Sequence, residues 1–340
     1  MKLVEITKPE LWDDFQNAQR FAQFTQAWKW GEFRRSCGLD VRRFALVDEA
    51  GAWLAAVQME FRPKKFVGGY WFAPRGPVFS RHVGDDDKRE IFQTLLENLK
   101  RQKMARALFW RFEPLAALGH PEGLMPLSMR RIFSANPAST MILDLTPSIA
   151  EISGKLKQKT RYNIRVAERG KVLVRLVEKT EDMDAFLDLM DETAKRDKFV
   201  QHDREYLRKL AENGIAAGTA RLRLAVSAGK VLAANLEMLC EDTVTYLHGA
   251  SSSRDRQLMA PYLLHWDAIL QAKRDGYSYY DFWGINPLSK GAFAYKRSWE
   301  GITRFKEGWG GERLDLYGTW DLPLNLPLYR LIFYRLGWRS

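Results

Sequence analysis

A chain of 340 residues with 46% hydrophobic and 28% charged side chains has a globular composition and the length of two domains rather than one core. Lysines and arginines number 53 against 42 Asp and Glu, a net charge of +11 that favours polyanionic partners: nucleic acid, phosphorylated substrates or an anionic membrane surface. Two cysteines, Cys37 and Cys240, make no disulfide framework, and the five histidines are scattered without metal-ligand spacing.

The N-terminal stretch MKLVEITKPELWDDF lacks the apolar core of a secretory signal, and no uncharged apolar run is long enough to span a bilayer, so the expected location is cytoplasmic. VRRFALVDEAGAWLAAVQMEF, residues 41–61, predicts two strands around the turn 48–51. GGYWFAPRGPVF (68–79) predicts a third strand closed by Pro and Gly. DDDKREIFQTLLENLKRQK (85–103) opens acidic and closes basic, with Ile91, Leu95 and Leu99 at helical spacing. RALFWRFEP (106–114) reads as a strand. After the Ser-, Pro- and Thr-rich join SANPASTMILDLTPS (134–148), the same order returns. A hairpin over 221–240 turns at 228–230, a strand follows at 243–250, then a helix over 261–276 with Pro261 in its first turn, then a strand over 277–285.

Hairpin, strand, helix, strand, twice over, is the unit order of N-acetyltransferase-like (GNAT) folds. The expected architecture is α/β (α+β): two tandem GNAT-like domains with mixed β-sheets. Residues 1–140, joined by a C-terminal segment from about 312 to 340, form the first. Residues 141–311 form the second, with a basic helix over 152–169. GNAT enzymes hold the pyrophosphate of acyl-CoA on a glycine-containing turn between the third strand and the next helix. Here the second-half turn SSSRDRQLMAP (251–261) has no glycine, and the first-half turn SRHVGDDD (80–87) carries three acids. Both disfavour acyl-CoA.

The stretch LKQKTRYNIRVAERGKV (156–172) is unusually basic for a helix. At about 100° per residue Arg161, Arg165 and Arg169 align, Lys155 and Lys159 extend the same face, and Tyr162 stands among them. Ile152, Leu156, Ile164 and Ala167 gather opposite as a core stripe. Glu168 is the only acid between 155 and 175, so the i, i+4 pairing of an ordinary solvated face is missing. The pattern suits phosphates with an aromatic available for stacking; a solvated surface is the alternative.

At these residues the sequence resembles the Fem family of peptidoglycan aminoacyltransferases, which build interpeptide bridges from aminoacyl-tRNA. KTRYNIRVAERG (159–170), YLHGASSSRDRQLMAPYLLHWDAI (246–269), YYDFWGI (279–285) and RFKEGWGGERLDLYGTWDLP (304–323) match that family's motifs in order, and WKWGEFRR (28–35) extends the likeness over nearly the whole chain. The resemblance implies a compact member without a coiled-coil arm. It would transfer an amino acid from aminoacyl-tRNA, the co-substrate, to an amine of a UDP-linked or lipid-linked muramyl peptide, with no other cofactor and no metal. The family's F-K-x-G-F-G-G appears as Phe305-Lys306-Glu307-Gly308-Trp309-Gly310-Gly311, and a second aromatic-lysine pair, Tyr295-Lys296, stands just before it.

An aminoacyl ester is already activated, so such chemistry needs no nucleophilic Ser or Cys, and the sequence has no nucleophile elbow. The resemblance gives the catalytic candidates: Lys306 as the cation near the oxyanion or the tRNA terminus, with Phe305 framing it. Asp281 is the best protein base, although the acceptor's own carboxylates could take the proton. For the muropeptide precursor it implies Arg34, with Arg35 adjacent, and His202 where compact members place an arginine. Arg204 is the substitute there, Tyr206 belongs to the same cluster, and His248 stands where a relative has a tyrosine. The tRNA-binding candidates are Lys155, Lys159, Arg161, Tyr162, Arg165 and Arg169. Three rivals remain: an acyl-CoA-dependent N-acyltransferase, an aminoacyl-tRNA transferase acting on protein N-termini, and a non-catalytic RNA- or membrane-binding protein. The basic aromatic tail LNLPLYRLIFYRLGWRS adds either a docked helix or a peripheral contact with the inner face of the plasma membrane.

Overall fold

The computed structural model describes residues 1–64, 68–104, 107–115, 124–126, 128–133, 135–177, 180–290, 292 and 294–335. Residue 106 of the strand expected over 106–114, residue 134 of the join and the tail end 336–340 lie outside them. The chain divides into two compact units. The first comprises Met1–Ser139, Asn286–Tyr295 and Leu314–Ser340; the second comprises Thr140–Ile285 and Lys296–Arg313. The segment Asn286–Tyr295, expected in the second domain, therefore belongs to the first unit.

In the first unit, β1 (Lys2–Glu5), α1 (Pro9–Asn17) and α2 (Trp28–Ser36) precede the hairpin β2 (Val41–Val47) and β3 (Trp53–Lys64). Then come β4 (Gly68–Ala73), β5 (Val78–Phe79), α3 (Lys88–Lys100), β6 (Phe109–Phe112) and β7 (Arg130–Ile132), with β15 (Thr319–Pro323) and α10 (Leu326–Arg335) from the C-terminal segment. The sheet order is β1-β2-β3-β4-β6-β15-β7, with β5 on β3. Helix α3 buries Ile91, Phe92, Leu95, Leu96 and Leu99, the face its four-residue spacing predicts, in a core with Phe44, Trp71 and Phe112. The inserted strand β15 is locked to β6 by a buried ion pair, Arg111 Nε to Asp321 Oδ1 at 2.7 Å. The Tyr329 hydroxyl donates to Asp321 Oδ2 at 2.9 Å, so the described part of the tail is a helix docked through a buried tyrosine.

The second unit runs β8 (Ser139–Asp144), α4 (Ile149–Lys155), α5 (Gln158–Arg169), β9 (Leu173–Leu176), α6 (Thr180–Asp197) and α7 (Arg204–Ala216). It continues through β10 (Ala220–Ser227), β11 (Lys230–Cys240), β12 (Thr243–Ser251), α8 (Ala260–Arg274), β13 (Tyr279–Gly284), α9 (Glu300–Lys306) and β14 (Glu312–Asp315), where the chain passes back towards the first unit. The order is β14-β8-β13-β12-β11-β10-β9. The single helix expected over 152–169 is in fact two. Leu156 and Lys157 are extended (ψ 139 and 145), which ends α4 and starts α5. A capping box at Ser148 and Glu151 opens α4. The break exists because the segment after α9 packs there: Lys157 N donates to the Gly308 carbonyl at 2.9 Å. Gly310 sits at φ 73, and a Cβ on it would overlap the Lys155 carbonyl.

Ile152, Leu156 and Ile164 join Tyr280, Phe282 and Trp309 in the core of this unit. Polar groups run through that core. His265, 1% exposed, lies 3.4 Å from Asn235 Nδ2 and 3.5 Å from the Tyr280 hydroxyl, which donates to buried Glu237 at 3.0 Å. Glu237 in turn meets Arg223 at 3.1 Å, and Arg223 reaches Asp267 at 2.6 Å. Burial, reinforced by the charge of Lys306, lowers the His265 pKa to about 3.

Two outcomes follow from this packing. Gly310→Ala should cost about 2–4 kcal/mol in urea unfolding, because it combines left-handed strain with a backbone overlap. For His265, the unfolded imidazole takes up a proton below its ordinary 6.5 while the folded one stays neutral down to about 3. Stability should therefore fall as pH drops through that window. His265→Gln should remove up to one proton of slope, about 1.4 kcal/mol per pH unit, in unfolding curves measured from pH 7 to 4.

Candidate active site

Two parallel strands define the site. β12 and β13 pair only at Thr243–Tyr279, Val244–Tyr280 and Thr245–Asp281. Beyond those residues β12 stays paired to β11 as far as Ser251, and β13 stays paired to β8 as far as Gly284, so the two part company. A bulge between Asp281 and Gly284 turns the end of β13, with Trp283 at φ 58. The equivalent strands of the first unit do not separate. β4 and β6 pair from Trp71–Trp110 to Ala73–Phe112, and Glu113 N closes the end onto the Ala73 and Gly76 carbonyls at 3.2 and 3.0 Å.

Lys306 fills the opening. It lies in the last turn of α9, is 6% exposed, and its Nζ donates to the Gly284 carbonyl at 2.8 Å. The same nitrogen stands 5.3 Å from the centre of the Tyr246 ring of β12. Burial lowers the Lys306 pKa to about 7, against the opposing pull of Asp281. An ammonium so placed can hold or release a proton at neutral pH and carries its charge in a poorly solvated opening.

The remaining candidates sort themselves by partner. Phe305 does not frame the opening: it packs into the core against Tyr262, His265 and Trp309. Asp281 is 1% exposed and its Oδ1 accepts from Thr140 Oγ1 and, at 2.7 Å, from Trp283 N, so this carboxylate braces the bulge rather than serving as a base. Lys296 is exposed, with its ammonium 4.4 Å from the centre of the Trp299 ring. His202, Tyr206 and His248 do come together: His202 is 4.7 Å from Tyr206 and 5.9 Å from His248, ring centre to ring centre. Burial, then repulsion from His202, lowers His248 to about 3. Arg204 is no substitute in that group, because its guanidinium is taken by Asp188 at 2.8 Å and by Asp191.

Arg34 and Arg35 belong to the first unit. Arg34 chelates buried Glu60, at 2.7 Å from Nε and 3.3 Å from Nη2, beside the Trp30 ring. Arg35 donates to Glu32 at 2.9 Å and to the Val41 carbonyl at 2.6 Å. On the basic segment Lys159, Tyr162, Arg165 and Arg169 are exposed on α5, Tyr162 at 57%, while Thr160, Asn163, Ile164 and Ala167 are buried on the opposite side. Lys155 stands apart on α4, and Arg161 turns back to the end of that helix, donating to the Ser153, Gly154 and Leu156 carbonyls. Arg161 is thus a helix cap before it is a phosphate ligand.

One side chain at the site had no marker in the sequence. Glu192 of α6 reaches the turn after β12, where its Oε1 accepts from Ser253 N at 2.6 Å and from Ser252 Oγ at 3.4 Å. Those bonds, the backbone one first, hold the Glu192 pKa below its ordinary value. Thr193 Oγ1 and Arg196 Nη1 fix the same turn through the Ser251 carbonyl, at 3.3 and 2.6 Å. A carboxylate therefore occupies a backbone amide of the turn in which GNAT enzymes seat a pyrophosphate, in keeping with that turn's glycine-free composition. Tyr246 was likewise quoted in a motif without a role. Its partner Lys306 lies 60 residues away, and no local pattern connects them. Among the described residues no cluster of His, Cys, Asp and Glu could hold a metal ion, and no helix is long and apolar enough to cross a membrane.

The Acetyltransferase (GNAT) domain family matches residues 154–297. Aminoacyltransferase FemB of Staphylococcus epidermidis is 34% identical over 88 residues, which is 26% of this chain and 20% of that protein. Aminoacyltransferase FemA of the same organism is 30% identical over 88 residues, with the same shares. The match thus spans about a fifth of the curated relatives' length. Among solved structures, FemX superposes with a TM-score of 0.80 at 21% identity, covering 98% of this chain and 100% of FemX. The fold is two GNAT-like domains in tandem, and over 88 residues the chain is similar in sequence to the Fem aminoacyltransferases.

Proposed function

We propose that this protein is an aminoacyl-tRNA-dependent aminoacyltransferase that adds an amino acid to the stem-peptide amine of a peptidoglycan precursor. The observation that carries the reading is Lys306 in the opening between β12 and β13, beside a turn already filled by Glu192. An opening with a cation and no pyrophosphate seat suits an acyl donor other than acyl-CoA. The donor's ester is activated, so positioning and charge suffice. The neutral acceptor amine attacks the ester carbonyl and a C–N bond forms. The Lys306 ammonium meets the developing oxyanion. As the C–O bond breaks, the Lys306 ammonium gives a proton to the leaving ribose oxygen and is reprotonated from solvent, while the attacking amine's proton leaves to a carboxylate of the acceptor or to solvent.

The likeness to proteins named aminoacyltransferases supports this donor, and the exposed face of α5 gives the tRNA phosphates somewhere to lie. Acceptor contacts are assigned to the His202, Tyr206 and His248 group of the second unit, whose rings meet. Both UDP-linked and lipid-linked muramyl peptides fit this assignment. The co-substrate is aminoacyl-tRNA, with no further cofactor, and the work is done in the cytoplasm, at the inner face of the plasma membrane if the acceptor is lipid-linked.

The test is transfer of radiolabelled amino acids from a mixed aminoacyl-tRNA pool to each precursor form. Label should appear in at least one. Lys306→Ala should lower kcat by about 10²-fold or more while leaving the acceptor KM nearly unchanged. No transfer to either form would overturn this reading, and acylation from acetyl-CoA instead would replace it with the acyl-CoA one. A second measurement addresses the basic helix. Lys159→Glu with Arg165→Glu and Arg169→Glu should weaken tRNA binding and reduce the slope of log K against log salt by about 2–3. Unchanged binding and slope would remove α5 from the interface.

A further inference from the structure

Tyr246 is placed in an unusual way. Its ring turns along β12 so that the hydroxyl lies against Gly249, where any Cβ would overlap it. Strands β11 and β12 change register between Leu236 and Glu237, so that Leu247 has no partner and Tyr246 pairs with Glu237. One side of the ring meets His265 edge-on, with centres 4.4 Å apart, and the Lys306 ammonium stands 5.3 Å from its centre. A bulge, a glycine and a neutral imidazole thus converge to fix one aromatic ring beside one ammonium.

We propose that Tyr246, seated against Gly249, is a positioning residue that holds the Lys306 ammonium in the opening between β12 and β13. The ring attracts the cation, and the Lys306 Nζ donates one hydrogen bond to the Gly284 carbonyl at 2.8 Å. Two N–H bonds are left to point at a substrate oxygen. The ionisable groups that bear on Lys306 are Asp281 of β13, His265 of α8 and Tyr246 of β12, with Glu237 of β11 behind Tyr246. Arg304, on its own helix, is exposed. The inference rests on the proposed role of Lys306, but its test includes a readout that needs no substrate.

That readout is the pH dependence of urea-unfolding stability, measured as the difference between a parent protein and its Lys306→Met counterpart. The folded lysine loses its proton near pH 7 and the unfolded one near 10.5, so the difference should rise with pH from about 7 upward. The bend marks the titration of Lys306. In a Tyr246→Leu background the bend should move down by about half a pH unit or more, because the ring's attraction for the cation is lost. Tyr246→Phe keeps the ring and should leave the bend in place. In parallel, Tyr246→Leu should lower kcat with little change in acceptor KM, and Tyr246→Phe should restore it. A bend unmoved in Tyr246→Leu, or moved equally in Tyr246→Phe, overturns the inference. A bend that moves in a protein with no transferase activity upholds it and removes the proposed function instead. If Tyr246→Leu does not fold, Tyr246→Met, unbranched and space-filling, gives the same measurement.

Discussion

When two paired strands diverge, the backbone groups along their facing edges lose their partners, and each buried one must find another. In the second unit this happens after Thr245 and Asp281. Two replacements meet the demand at the end of β13: the Gly284 carbonyl accepts from Lys306, and Trp283 N donates to Asp281, whose carboxylate is in turn steadied by Thr140 of β8. Most of the surrounding structure serves these bonds. Helix α9 must end at Lys306, so the chain after it must turn sharply, and Gly310 supplies the left-handed residue for that turn. The turned segment presses on the junction of α4 and α5 and breaks what the sequence alone presents as one helix.

The electrostatics follow from the same opening. A buried ammonium is costly unless something favours it. Here the compensation is partial: one carbonyl, one aromatic face and a carboxylate already occupied by backbone and threonine. The result is a lysine near pH 7 rather than a tightly ion-paired one. The contrast with Arg111 and Asp321 is informative, because that buried pair is satisfied on both sides and fixes β15 in the first unit's sheet. One unit spends its buried charge on closing a sheet. The other leaves a charge incompletely compensated where the sheet is open.

Much of this was legible from the residues. Local signals carried the strands and helices: the Ile91–Leu95–Leu99 spacing gave α3, Pro261 opened α8, and Ala228-Gly229 turned the β10–β11 hairpin. The family motifs pointed to Lys306 and to the His202–Tyr206–His248 group, in which His248 lies 46 residues from His202 in sequence yet meets it ring to ring. What stayed hidden was non-local. Periodicity carries through Leu156 and Lys157, so nothing there announces that Gly308 and Gly310 will break the helix. Arg161 has the spacing of a phosphate ligand, but a helix end five residues back claims it. Glu192 is one acid among several on α6, and only the folded turn shows that it occupies the Ser253 amide.

The two units also show how a duplicated fold can divide its labour. Both carry the hairpin, strand, helix, strand order, yet only the second keeps its central parallel strands apart. The difference lies at one position of the pairing. In the first unit the residue after the last pair, Glu113, donates its backbone N–H across the gap to Ala73 and Gly76, and its carboxylate is bound by Asn136 and Thr319. In the second unit the residues beyond Asp281 bulge away towards β8 instead. Closing the strands consumes the backbone groups that an acyl substrate would otherwise address. Opening them leaves those groups to be shared between a side chain and a ligand. Among the described residues the first unit's strands are closed by Glu113 N, whereas in the second unit Lys306 stands in the gap.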